Sequence, residues 1–197
     1  VNSTNLKKYL DLECFMPKLS IQKEIFTQAI PAIGSMMFIG LGVFVLLYYV
    51  SMYGDYSAGG YGAAIRFEQL FLLPVLGLNA STLALVGQNF GAANFNRILE
   101  TYKKSILYGT IFMATCGIFI FFSSDYIMYF FSDDTEIIFY GSTYLKIAAF
   151  AGPCYPIFFI SSALLQGLKK PNYQMIINLM RMIVLPISAL SIAVVYL

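Results

Sequence analysis

The sequence has no histidine, which removes imidazole from any catalytic or metal-ligating role within the chain. Charge is scarce too. Asp, Glu, Lys and Arg make up 11% of the 197 residues, where a soluble domain carries about 25%. The net charge of +2 singles out no nucleic-acid partner. Cysteine is limited to Cys14, Cys116 and Cys154, an odd and widely spaced set without a CxxC pair. Each is expected to act as a small hydrophobe, not as part of a disulfide framework or metal site. With no clustered Cys, no His and one deep carboxylate, no catalytic residues and no resident cofactor are expected, and the chain does not read as an enzyme.

What is abundant is apolar. Hydrophobic residues are 59% of the chain and the mean hydropathy is +0.74. A bilayer core of about 30 Å takes about 20 helical residues to cross. Five segments meet that length, at about 30–52, 62–87, 103–123, 137–166 and 172–197. The expected fold class is therefore all-α, a polytopic membrane helix bundle with lipid as its surroundings. Residues 1–29 are expected to form a cytoplasmic linker and an interfacial helix. In "PKLSIQKEIFTQAI", Ile21, Ile25 and Ala29 share one side while Lys18, Gln22 and Lys23 fall largely elsewhere. A plain helical extension of the first span fits the same pattern.

The connections carry an orientation signal. Lys7, Lys8, Lys18 and Lys23 precede the first span, Arg97, Lys103 and Lys104 lie around the second connection, and Lys169 and Lys170 form the fourth. The first connection has only Asp55, and the third has Asp125, Asp133, Asp134 and Glu136 without a base. Basic loops favour the cytoplasmic side. This alternation supports the five-span count and predicts a multi-pass protein of the plasma (inner) membrane with its N-terminal end cytoplasmic. The chain opens on Val1 instead of Met, and its last apolar run reaches Leu197 without a polar flank, which suggests a fragment of a longer protein.

Polar residues inside the spans are the candidates for function, because a charge at mid-bilayer costs about 2.5–3.5 kcal/mol on insertion scales. At about 100° per residue, Glu68, Asn79 and Thr82 fall within roughly 60° of one another, with Arg66 pointing the other way. Gln174, Asn178, Arg181 and Ser188 share one side of the fifth span. Lys146 and Arg181 are the deep bases, and a pairing of Glu68 with one of them is expected. The stripes fit either the lining of a water-filled cavity or helix–helix glue. Pro74, Pro153, Pro156 and Pro186 interrupt spans, and "GPCYP" at 152–156 breaks the fourth near its middle. Broken helices at mid-membrane point to transporter binding sites. Tyr155, at the break, offers an aromatic face to an organic cation or simply packs. Asn79-Ala80-Ser81 matches a glycosylation sequon but falls inside a span, so it is read as chance.

The stretch "GGYGAAIRFEQLFLLPVLGLNASTLALVGQNFGAANFNRILETYKKS" resembles the multidrug and toxin extrusion (MATE) family. The resemblance is carried by Arg66 and Glu68, Pro74, Gly77-Leu78, Ala80, and above all Val86-Gly87-Gln88-Asn89 with Gly91-Ala92 and Arg97. Leu165-Gln166-Gly167 and Ile30-Pro31-Ala32 are similar to the end of the family's tenth helix and the start of its seventh. The resemblance implies helices seven to eleven of twelve, that is, a C-terminal six-helix lobe lacking its last helix. It implies an N-terminal lobe of the same transporter as partner, and export of a cationic, amphipathic compound, a small-molecule organic cation, in exchange for H⁺ or Na⁺. Glu68, Asn79, Thr82, Lys146, Tyr155, Asn178 and Arg181 then become the substrate and ion pathway. Arg66, Pro74, Gly87, Gln88, Asn89 and Gly91 become the gate and helix-turn motif, with Gly87 and Gly91 expected to permit close backbone approach. The resemblance also shows a departure. One branch of the family places acids in the seventh and tenth helices, but 30–52 has none and the tenth-helix position falls near Tyr155. The coupling ion is left open between H⁺ and Na⁺. The alternative with the same architecture is a flippase or exporter of lipid-linked sugars or polysaccharides.

Overall fold

The structure, a computed structural model, describes residues 19–189. Among them every regular element is helical. Helix α1 spans Leu19–Ser51, α2 Asp55–Gly91 and α3 Phe95–Tyr129. Helix α4, Thr135–Ala151, passes through a 3₁₀ turn at Gly152–Cys154 into α5, Tyr155–Gly167. Helix α6, Pro171–Leu179, runs into a π-turn at Met180–Val184, and helix resumes through residue 189. Four continuous helical runs, of 33, 37, 35 and 33 residues, are long and apolar enough to cross a membrane. At about 1.5 Å per residue each is near 50 Å, so every one extends past the hydrocarbon core.

The helix ends follow local chemistry. Gly54 closes the turn between α1 and α2 at φ 105°, a region that side chains avoid. At the end of α2 the Ala92 and Asn94 amides donate to the Gln88 and Asn89 carbonyls at 3.1 and 2.9 Å. Asn94 then caps α3, its Oδ1 accepting from the Arg97 amide at 3.3 Å. Asp134 caps α4 by accepting from the Glu136 and Ile137 amides at 2.9 and 3.4 Å. Pro171 opens α6 at a position whose amide has no helical partner to lose.

The segment 19–29 forms the first turns of α1, continuous with the first span, in line with the helical-extension reading. The second and third helices also extend well beyond 62–87 and 103–123, absorbing the polar flanks Asp55, Arg97 and Asp125. Residues 1–18 and 190–197, including the end of the expected fifth span, lie outside the described residues.

The bundle centres on α2, α3, α4 and α5, which pack on one another, while α1 lies mainly against α6. Its core joins Ala64, Ile120, Met128, Ile138, Leu145 and Ala149. Small residues set the helix spacing, as expected where lipid outside removes any hydrophobic drive to associate. A Cβ placed on Gly60 would lie 2.7 Å from the Ile137 carbonyl oxygen, and one on Gly117 would lie 2.6 Å from that of Ala149. Large apolar side chains point outward instead, such as Phe122 and Phe150 at 76% and 90% exposure.

Candidate functional site

Glu68 lies midway along α2 and is buried, 8% exposed. Its Oε2 accepts from the Tyr144 hydroxyl at 2.7 Å and its Oε1 from the Tyr155 hydroxyl at 2.6 Å. The two tyrosines stand on either side of the Gly152–Cys154 turn, so the break in the fourth span brings two donors to one carboxylate. Tyr61, two turns before Glu68 on α2, closes the cluster with its ring edge-to-face on Tyr144 at 5.1 Å. Both oxygens of the buried acid are thus occupied by hydroxyl donors.

The expected pairing of Glu68 with Lys146 or Arg181 does not occur. Lys146 follows Tyr144 by two residues, about 200° around the helix, so it faces away when Tyr144 faces Glu68. It bonds Asp125 on α3 at 3.1 Å, in a half-open ion pair. Arg181 lies against two aromatic rings. Its guanidinium lies 3.9 Å from the centre of the Phe158 ring and 5.9 Å from that of Tyr155. One of its nitrogens, Nη1, is buried and has no bond partner among the described residues.

The rest of the α2 stripe serves helix–helix bonding. The Asn79 amide donates to the Phe159 carbonyl of α5 at 2.5 Å. Thr82 is fully buried, 2.8 Å from its own helix's Leu78 carbonyl and 2.9 Å from the Ser105 hydroxyl of α3. Asn178 is also fully buried, but neither atom of its amide is bonded among the described residues. Arg66, Pro74, Gly87, Gln88 and Gly91 are exposed, and Asn89 turns its amide back onto the Leu85 carbonyl at 2.7 Å. Within the described residues, the close approach near this motif is made by Gly167. Gly87 and Gly91 have open space where a Cβ would sit, whereas a Cβ on Gly167 would be 2.6 Å from Val86 and 3.3 Å from the Gly87 amide nitrogen.

The structure thus brings Glu68, Tyr155 and Arg181 into one chain of contacts and leaves Lys146 outside it. Sequence reasoning missed Tyr144, Tyr61 and Phe158. A signal for Tyr144 was present: it lies eleven residues, about three helical turns, before Tyr155 and so falls on nearly the same face. An apolar groove lined by Gly117, Phe121, Phe150 and Pro153 sits on the other flank of the helix break and contains none of these polar groups.

Long apolar helices, packing through small residues and a buried carboxylate inside the bundle define a polytopic α-helical membrane protein. The MatE family model matches residues 31–190, and the chain belongs to that family. It is 26% identical over 177 residues to the probable multidrug resistance protein YpnP of Bacillus subtilis, covering 89% of this chain and 40% of the relative. The multidrug export protein MepA of Staphylococcus haemolyticus is 28% identical over 131 residues, covering 66% of this chain and 29% of the relative. The chain therefore spans well under half the length of these relatives. A solved structure of a MOP superfamily transporter from Pyrococcus furiosus shares the fold, with a TM-score of 0.88 at 21% identity, covering 94% of this chain and 42% of that one.

Proposed function

We propose that the chain is part of the C-terminal lobe of a secondary antiporter that exports cationic, amphipathic compounds in exchange for H⁺ or Na⁺. The observation that carries this reading is Glu68. It is a buried carboxylate with no basic partner among the described residues, held only by two tyrosine hydroxyls. Carboxylates are rare inside membrane-spanning bundles and mark ion pathways there. Tyr144 and Tyr155 add hydroxyl oxygens beside it, the hard donors that an alkali cation takes. Because Tyr155 follows the Gly152–Cys154 break, a change in Glu68's charge acts directly on the segment where α4 gives way to α5. Coupling then amounts to a shift between outward- and inward-open states that bind the ion unequally.

The partners in this reading are membrane lipid, the N-terminal lobe of the same protein and an organic cation. The location is the plasma (inner) membrane with the start of α1 cytoplasmic, as the distribution of Lys and Arg favours. The test is export by the complete two-lobed protein in liposomes loaded with a fluorescent organic cation. A pH jump and a Na⁺ jump are applied in separate runs. Export on one of them supports antiport and identifies the ion. No export on either by folded protein removes the reading.

A further inference from the structure

Helices α3 and α4 meet closely at Gly117, where a Cβ would lie 2.6 Å from the Ala149 carbonyl oxygen. Both residues line a groove of about 300 Å³ between the two helices, with Phe121, Phe150 and Pro153 along its sides and apolar side chains throughout. Asp125 and Lys146 extend the two stripes that form it. On α3, Ala114, Ile118, Phe121 and Asp125 recur at spacings of three and four, and on α4 Lys146, Ala149 and Pro153 do the same. The ion pair therefore heads the groove at the end nearer the α3–α4 turn. Lys146 donates to both carboxylate oxygens, at 3.2 and 3.1 Å, yet 40% and 53% of the two side chains stay exposed. An ammonium has three donors and a carboxylate about four acceptor positions, so each partner keeps bonding capacity.

Depth decides what fits. The α4–α5 run of 33 residues is near 50 Å, about 20 Å longer than the hydrocarbon core. Lys146 is about 16 Å from its start. With the overhang shared between the two ends, the ion pair lies about 6 Å inside the core. Tyr126, Tyr129 and Tyr140, all exposed, lie between the pair and the turn, as an aromatic belt does at headgroup level. From Asp125 to Ala114, α3 advances about 16 Å, and the chains of one leaflet fill about 15 Å, half of the core. The groove thus begins at the reach of a headgroup and ends where an acyl chain ends. A half-exposed ion pair facing hydrocarbon is costly, and a headgroup drawn onto it removes that cost. The groove is open among the described residues, since α1 and α6 pair with each other and Phe150 is exposed.

We propose that the α3–α4 groove binds a phospholipid with a phosphoethanolamine headgroup, its phosphate on Lys146, its ammonium on Asp125 and one acyl chain along the apolar stripe. Charges of both signs above an apolar trough complement a zwitterionic amphiphile. A phosphocholine headgroup has no N–H to donate to Asp125. A phosphoglycerol headgroup brings no cation and sets its negative charge beside the carboxylate. The proposal is independent of what the chain exports.

The test uses the purified complete protein and native mass spectrometry with phosphatidylethanolamine, phosphatidylcholine and phosphatidylglycerol of equal chain length. Wild type should retain phosphatidylethanolamine over phosphatidylcholine by about tenfold, the scale of one hydrogen bond to a charged group. D125N removes the acceptor charge at an exposed position and should bring the two lipids to near-equal retention. I118W, which fills the groove from a lipid-exposed position, should lower retention of both. Equal retention of the two lipids by wild type overturns the proposal, as does a preference undiminished in D125N. Stronger retention of phosphatidylglycerol overturns it too, because the site would then be a simple basic patch. Phosphatidylethanolamine with a photoreactive diazirine in its acyl chain locates the lipid in wild type without any variant. Adducts should fall on residues 114–122 and 149–153. Adducts confined to other surfaces would show that the other lobe or a further helix covers the groove, and would overturn the site.

Discussion

Glu68 and Arg181 both border Tyr155 and meet their surroundings differently. Both are ionisable groups placed inside a bundle of membrane-length helices. Glu68 has two hydroxyl donors within 2.7 Å, supplied by elements on both sides of the Gly152–Cys154 break. Arg181 has an aromatic face at 3.9 Å and a buried nitrogen without a partner among the described residues. Among the described residues, then, both oxygens of the acid are bonded and one nitrogen of the base is not. Lys146, the third deep ionisable group expected from sequence, stands apart from both, because it reaches Asp125 at the half-open end of α3.

The largest effect should come from Glu68→Gln. The amide keeps the shape and loses the charge, so gradient-driven export by the complete protein should fall to the level of empty liposomes while membrane insertion is retained. Unchanged export would erase the distinction between the two sites. Tyr155→Phe should come next, because it strips one oxygen of Glu68 and leaves the ring facing Arg181. A hydrogen bond to a charged group contributes about 1.5–3 kcal/mol, so thermal unfolding in detergent should show a loss of that order. Tyr144→Phe should cost a similar amount of stability but leave the response to Arg181 substitutions unaltered, since Tyr144 does not border the guanidinium. A shift of that response by Tyr144→Phe would show that the sites are not separated by Tyr155. The smallest effect should be that of Lys146→Met. A half-open ion pair is worth about 0–1 kcal/mol, and export and stability should both stay near wild type. A strong export defect in that variant would return Lys146 to the pathway.

Much of this arrangement is legible in the residue pattern. The spans follow from uninterrupted apolar runs, and the break at 152–156 follows from two prolines and a glycine in five residues. Glu68 stands out because carboxylates are rare in such runs. Its partners do not stand out. In a chain with 15 tyrosines a hydroxyl donor is invisible to charge counting, which points only to Lys146 and Arg181 as counter-charges. Asp125 escaped notice as Lys146's partner because the third span was expected to end near 123, whereas α3 continues to Tyr129. Helices outlast their apolar segment when the flanking residues are still good helix formers, and hydropathy marks only the part in lipid. The close approach of Gly167 to Val86 and the Gly87 amide was out of reach for another reason. It depends on how α2 and α5 sit side by side, which no local pattern records.

The central claim is that Glu68 carries the coupling ion. The most direct measurement compares two assays on wild-type and Glu68→Gln protein in the same liposomes. One is export driven by a proton or Na⁺ gradient; the other is exchange of labelled for unlabelled organic cation with no ion gradient imposed. The account predicts that Glu68→Gln loses the first and keeps the second, because the variant still alternates between states but no longer responds to the ion. Gradient-driven export that persists in Glu68→Gln at the wild-type rate would contradict it.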